Sequence, residues 1–253
     1  MTPSLPQSFL TRAIAHRALH DIADGRPENS LAAIQAAAEV GYGIEIDLQL
    51  SSDGVAMVFH DYQLERLTDE VGAVRSRSAE DLSRIRLKGG DEGIPSLAEV
   101  LSAVGGRVPL LIELKDQDGE LGPNVGALER ATAEALDGYE GDVALMSFNP
   151  HAVAELARLA PTRPRGLTTE RFRPGGGWPV SDERLRELSE IPDFDRVGAS
   201  FISHDARDLT SPKVARIKAR GVPVLCWTIR SPEAEREARK IADNVTFEGY
   251  LPG

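Results

Sequence analysis

Two short stretches carry most of the ionisable chemistry of this 253-residue chain. In Ile44-Glu45-Ile46-Asp47-Leu48 the carboxylates stand two residues apart. A strand therefore puts both on one face and the three aliphatic side chains on the other. Leu111-Ile112-Glu113-Leu114-Lys115 repeats the arrangement, with Glu113 and Lys115 opposite Ile112 and Leu114. Bare carboxylates turned into a folded interior are costly, and a bound cation removes the cost. An all-oxygen ligand set suits a hard divalent ion, Mg²⁺ or Ca²⁺, over zinc. A single Glu-x-Asp pair on a strand is usually a solvated sheet edge. Two such strands, each with a wholly aliphatic opposite face, weigh for a metal. His16 and His60 each close an apolar run, Ile14-Ala15-His16 and Met57-Val58-Phe59-His60, and a polar residue follows each. A lone strand-end His is usually structural, whereas two beside candidate metal carboxylates suit an acid–base pair.

These residues need a frame that brings strand ends together. Apolar runs at 13–17, 44–50, 55–61, 109–115, 143–149, 165–169, 197–203, 222–229 and 245–250 read as strands. Helical spacing occupies 30–43, 96–106, 125–137, 151–159, 181–190, 212–220 and 232–242. Ser51-Ser52-Asp53-Gly54 reads as a hairpin turn before the third run. Strands alternating with helices imply βαβ units, and the nine runs, one of them the return arm of the hairpin, give about the eight strands of an α/β TIM (β/α)₈ barrel. A doubly wound open sheet is the alternative, weakened because no Gly-rich phosphate loop follows the first strand. Residues 62–95 are polar with little periodicity, as a functional loop or small insertion subdomain would be.

Composition narrows the function. A formal charge of −11 argues against broad binding to nucleic acid or to an anionic membrane surface. It leaves room for a small anionic substrate on a local cation. Cys226 is the only cysteine, so no internal disulfide framework exists. No apolar stretch approaches the ~20 residues of a membrane span. The N-terminus lacks the basic start and apolar core of a signal peptide. The expectation is a soluble cytoplasmic protein without a stable membrane anchor.

The set His16-Arg17, Pro27-Glu28-Asn29, Glu45-Ile46-Asp47, Asp53-Gly54, His60-Asp61, Ile94-Pro95-Ser96-Leu97 and Glu113-Leu114-Lys115 resembles the glycerophosphodiester phosphodiesterases. Ser147-Phe148 and Cys226-Trp227-Thr228-Ile229 extend the resemblance toward the C-terminus. It implies a single barrel domain over 1–253, with 62–95 as an insertion after the second strand. It also implies metal-dependent hydrolysis of a glycerophosphodiester to an alcohol and glycerol 3-phosphate. Carried over, Glu45, Asp47 and Glu113 are metal ligands, and His16 and His60 are general acid and base. Arg17 and Lys115 hold the phosphate, and Trp227 lines the glycerol side. Glu28 is placed with the substrate-binding residues, orienting an Arg or a metal-bound water, while Asn29 or Ser30 caps the following helix. The first nucleophile is water or the substrate's own 2-hydroxyl.

The chain departs from the family pattern at Ala18, where Gly is usual, at Arg230, where Asn is frequent, and at Glu248, where Asp is common. His20, Arg230 and Glu248 read first as surface or capping residues, His151 as structural, and His204 as a residue within reach of the rim. Because 62–95 holds one aromatic, Tyr62, no aromatic cage for choline is expected, and head groups should be cleaved with similar efficiency. Two other readings remain at this point: a phosphodiesterase or lyase acting on a sugar-phosphate conjugate or lysophospholipid, and a non-catalytic ligand-sensing barrel. The second has no use for an acid–base pair.

Overall fold

The apolar runs close into a ring. The structure is a computed structural model and describes residues 2–252. Its strands are β1 (Ile14–Ala15), β2 (Gly43–Leu50), β3 (Ala56–Val58), β4 (Leu110–Leu114), β5 (Val143–Ser147), β6 (Arg165–Thr169), β7 (Phe201–Asp205), β8 (Val224–Ile229) and β9 (Asn244–Phe247). All except β3 pair in parallel, and β9 returns to β1, so among the described residues eight parallel strands form a closed barrel. β3 folds back antiparallel on β2, Leu48 facing Val58 across the expected hairpin.

Helices α1 (Ser8–Thr11), α2 (Leu31–Val40), α3 (Ala79–Arg84), α4 (Leu97–Val104), α5 (Ala127–Ala135), α6 (Pro150–Leu159), α7 (Asp182–Ser189), α8 (Pro212–Ala219) and α9 (Pro232–Ala238) complete the frame. Local chemistry starts them. Ser30, Ser96, Ser181, Ser211 and Ser231 each accept a first-turn backbone N–H, and such a cap contributes about 1 kcal/mol. None of the helices among the described residues is long and apolar enough to cross a membrane.

The two faces of β2 go to different places. Ile44, Ile46 and Leu48 pack outward against Ala33, Ile34 and Ala37 of α2 and Leu97, Val100 and Val104 of α4. The inward faces divide by level. At the N-terminal end Phe9, Ile14, Leu111, Ala144, Phe201 and Leu225 fill the barrel. Gly166 makes room for Phe201, because a Cβ there would lie 2.5 Å from its ring. Asn244 of β9 donates to the Phe9 and Arg12 carbonyls, which seats α1 as a plug. The charged inward residues are thus confined to the C-terminal part of the barrel, at whose mouth barrel active sites are built.

Three local departures matter. α1 and α3 are too short to show a helical repeat in sequence. β7 begins at Phe201 rather than at 197, because Val197–Ala199 complete a turn with Gly198 at φ 59°. The strand ends at Asp205, and alternation with inward Phe201, Ser203 and Asp205 puts His204 on the outer face. Residues 62–95 contain α3 and a small apolar cluster of Leu64, Leu67, Val74, Leu82, Leu87 and Ile94 on Met57 and Phe59. Its side chains converge from turns, so the segment lacks periodicity although it is packed.

Candidate active site

Register brings the charged pairs together. The β2–β4 pairing sets Asp47 beside Glu113, and Glu45 lies one inward step below. Ligand oxygens of Glu45, Asp47 and Glu113 lie within 4.8 Å of one another. All three side chains are buried, at 2%, 1% and 5% exposure. Lys115 Nζ lies 2.6 Å from Asp47 Oδ1 and also donates to Glu113 Oε1. Arg17 follows β1 with φ 53°; its backbone N–H donates to Glu45 Oε2 at 2.9 Å, and its Nε lies 3.5 Å from Asp47 Oδ2.

The electrostatics are unbalanced. Burial, reinforced by Asp47 and Glu113, pushes the Glu45 carboxyl well above the usual carboxylate range. Burial also opposes ionisation of Asp47, yet Lys115, His60, Arg17 and His16 together hold its carboxyl well below that range. Desolvation opposes the charge of Lys115, but Asp47 and Glu113 raise it above its ordinary value. Two cations thus face three carboxylates, which leaves one negative charge for a hard divalent ion to offset. The donor set fits such an ion.

His16 and His60 are mounted alike. His16 Nδ1 lies 2.8 Å from Glu248 Oε2, and His60 Nδ1 lies 2.6 Å from Asp61 Oδ1. A carboxylate on Nδ1 fixes the ring and its tautomer. Nε2 is left as the ring nitrogen without a protein partner among the described residues. Burial pushes His16 below its ordinary value, although Glu248 pulls the other way. Glu248 in turn is lowered to about 2, chiefly by its hydrogen bond to His16.

His16, Arg17, Glu45, Asp47, His60, Glu113, Lys115 and Trp227 all line one cavity of about 360 Å³ at the barrel mouth. Glu28 does not line it. Its carboxylate instead accepts from Arg17 at 2.8 Å and from both terminal nitrogens of Arg66, which also grips Asp61. Of the two roles expected for Glu28, orienting an Arg or a metal-bound water, its contacts match the first: it anchors Arg17 from behind the cavity wall.

Other positions come out differently from their sequence reading. Ser30 caps α2, whereas Asn29, at φ 61°, donates to Asp47 Oδ2 at 3.0 Å and accepts from the Asp47 N–H at 3.4 Å. Glu248 and Arg230 are no mere surface pair, since Glu248 holds His16 and Arg230 holds Glu248 at 3.1 Å. His204 is buried outside the barrel lumen between Thr169 and Asp208. Neither His20 nor His151 lines the cavity. Arg17 Nε, Ser203 Oγ and Thr246 Oγ1 are buried without hydrogen-bond partners and line it. Ser203 and Thr246 were not anticipated; the available signal was a small hydroxyl on the inward face of an otherwise apolar strand.

Further aromatic residues gather around the expected Trp227. Phe148, beyond β5, lies 4.9 Å from Trp178 of the β6–α7 loop and 5.6 Å from Trp227 of β8. The β8–β9 register shifts between Cys226 and Ile229, the kind of irregularity that re-aims a side chain at a barrel rim. Trp227 Nε1 donates to the Ser203 carbonyl at 3.0 Å.

The profile of the glycerophosphoryl diester phosphodiesterase family matches residues 16–246. The chain belongs to this family. With membership comes the expected enzyme class, a phosphoric diester hydrolase. A glycerophosphodiester phosphodiesterase of Caldanaerobacter subterraneus is 32% identical over 169 residues, which span 62% of this chain and 66% of that relative. Glycerophosphodiester phosphodiesterase 1 of Bos taurus is 26% identical over 87% of this chain and 72% of its own length. Among solved structures, a phosphodiesterase of Oleispira antarctica in complex with the product sn-glycerol-3-phosphate superposes with a TM-score of 0.74. It is 28% identical and covers 95% of this chain and 94% of that one.

Proposed function

We propose that this chain hydrolyses glycerophosphodiesters to an alcohol and glycerol 3-phosphate, with a divalent metal and two histidines. The observation that carries this reading is one cavity walled by three buried carboxylates, two largely covered cations and two carboxylate-backed histidines. The product complex of the Oleispira relative supports the glycerol assignment.

Glu45, Asp47 and Glu113 would hold the ion, Mg²⁺ or Ca²⁺. When bound, it supplies positive charge to the phosphate oxygens as negative charge builds there. Arg17 and Lys115 add fixed positive charge on the same cavity wall, already oriented by Glu28, Asp47 and Glu113, so little reorganisation is needed during reaction. One histidine takes the proton of the attacking hydroxyl at Nε2, and the other delivers a proton to the departing alkoxide. Burial favours the neutral ring of His16, the form that accepts a proton. The unpartnered Ser203 and Thr246 hydroxyls offer hydrogen bonds to the glycerol. We further infer one barrel unit over 1–253 with 62–95 inserted, acting in the cytoplasm on a small substrate and on neither nucleic acid nor membrane.

Chelation tests the reading. Exhaustive EDTA treatment should abolish release of glycerol 3-phosphate from glycerophosphoglycerol, and Mg²⁺ or Ca²⁺ should restore it. Activity that survives chelation removes the metal from the proposal.

A further inference from the structure

A second cavity, of about 570 Å³, opens beside the first, and His60, Glu113, Lys115, Phe148 and Trp227 line both. Its remaining wall includes Tyr62, Trp178, Leu121 and Glu170. Four aromatic side chains thus come from four separate segments: the stretch after β3, the end of β5, the β6–α7 loop and β8. The Phe148 ring stands at 82° to Trp227 and 55° to Trp178, so the rings form a corner instead of a flat stack. Phe172 and Leu121 back this corner from within a buried cluster. Carboxylates of Asp61, Asp116 and Glu170 stand around it. The ammonium of Lys115 is already met by Asp47 and Glu113.

We propose that this second cavity receives the departing alcohol and selects alcohols bearing a quaternary ammonium, as in the choline ester of glycerol phosphate. The inference rests on the reading of the first cavity as a glycerophosphodiester site. A diester held at the shared wall of Glu113 and Lys115 has one arm in each cavity, and the glycerol arm belongs with Ser203 and Thr246. The other arm meets rings and negative charge. Several aromatic rings around a methylated ammonium are the established means of recognising that group. A primary ammonium also needs hydrogen-bond acceptors, and each nearby carboxylate already accepts at least one hydrogen bond from the protein. Asp116 accepts from the Leu121 N–H and Asn149, Asp61 is taken by His60 and Arg66, and Glu170 accepts from Trp178 Nε1 at 2.6 Å. A quaternary ammonium has no N–H to satisfy, so rings and a diffuse negative field suffice.

The chain's two tryptophans, Trp178 and Trp227, both line this cavity, so intrinsic fluorescence reads its occupancy directly. Choline titrated into the intact chain should change that fluorescence saturably. Its neutral isostere 3,3-dimethylbutanol should need at least tenfold more to half-saturate. Glycerophosphocholine should show a kcat/KM at least thirtyfold above that of glycerophosphoglycerol, and Trp178→Leu should shrink the ratio to about threefold or less. Equal responses to choline and the isostere, or no response, overturn the inference. Efficient cleavage of both diesters within about threefold also overturns it and leaves the phosphodiesterase reading standing. Failure to cleave either diester sinks that reading instead, and the choline titration on the wild-type chain then decides this one.

Discussion

The two sides of the barrel mouth are built from opposite materials. The side formed by β1, β2 and β4 is charged: Arg17, Asp47, Glu113 and Lys115 are each fixed by a neighbour of opposite charge, and Glu45 by the Arg17 backbone N–H. The side formed by the ends of β5 and β8 and the β6–α7 loop is aromatic, held by packing of Phe148, Phe172, Trp178 and Trp227. The contrast separates two tasks. Charge stabilisation at a phosphate needs rigid groups whose own charges are compensated in advance. Choice among leaving alcohols needs only a shaped wall, which can sit on loops and tolerate change.

This division has consequences that measurement can break. The largest concerns the histidines. His16→Ala or His60→Ala should each lower kcat/KM by roughly 10²–10⁴-fold. The double variant should lose far less than the product of the two losses, because the pair acts as a unit. The losses should be equal for choline and glycerol esters. A loss that depends on head group would mean that the charged side also reads the alcohol.

Asn29 comes next. It touches Asp47 through two hydrogen bonds and lines neither cavity wall. Asn29→Ala should weaken metal affinity about 10–100-fold, the usual effect of removing a group that orients a ligand. Calorimetric titration of Mg²⁺ and Ca²⁺ into the variant measures it, and unchanged affinity would reduce Asn29 to a structural role.

The smallest effect is a displaced pH limb. Burial lowers His16, while the hydrogen bond and charge of Glu248 favour its protonated ring. Glu248→Gln removes the second influence and keeps the first. The His16 limb of the kcat/KM–pH profile should therefore move to lower pH. Glu248, lowered to about 2 in the folded chain, stays ionised through the working range, so the wild-type limb should not reflect its titration. A limb that stays put or moves upward would separate Glu248 from the proton chemistry.

Much of the charged side was legible in sequence. Strand alternation is a local rule, so Glu45 and Asp47 had to share a face, and the same rule paired Glu113 with Lys115. Helical spacing marked the longer helices. The hairpin announced itself at Asp53-Gly54, and eight of the nine expected site residues meet in one cavity. What escaped was set by contacts between distant segments. Glu248 reaches His16 across 232 residues, and nothing near either position announces the pair. Asn29 looked like a cap because Asn is a good cap; the left-handed backbone at 29 turned it toward Asp47 instead.

The sequence by itself therefore determined the alternating frame, the faces of β2 and β4 and the identity of the charged groups. All of these follow from periodicity and residue type within a few positions. Only the tertiary structure decided the parallel register that sets Asp47 beside Glu113, the carboxylate behind each histidine and the removal of Glu28 to a position behind Arg17. It alone assembled the aromatic corner from four separate segments. The physical reason is that a barrel brings every strand end to one rim. Neighbours at that rim are chosen by closure of the sheet, whatever their separation along the chain.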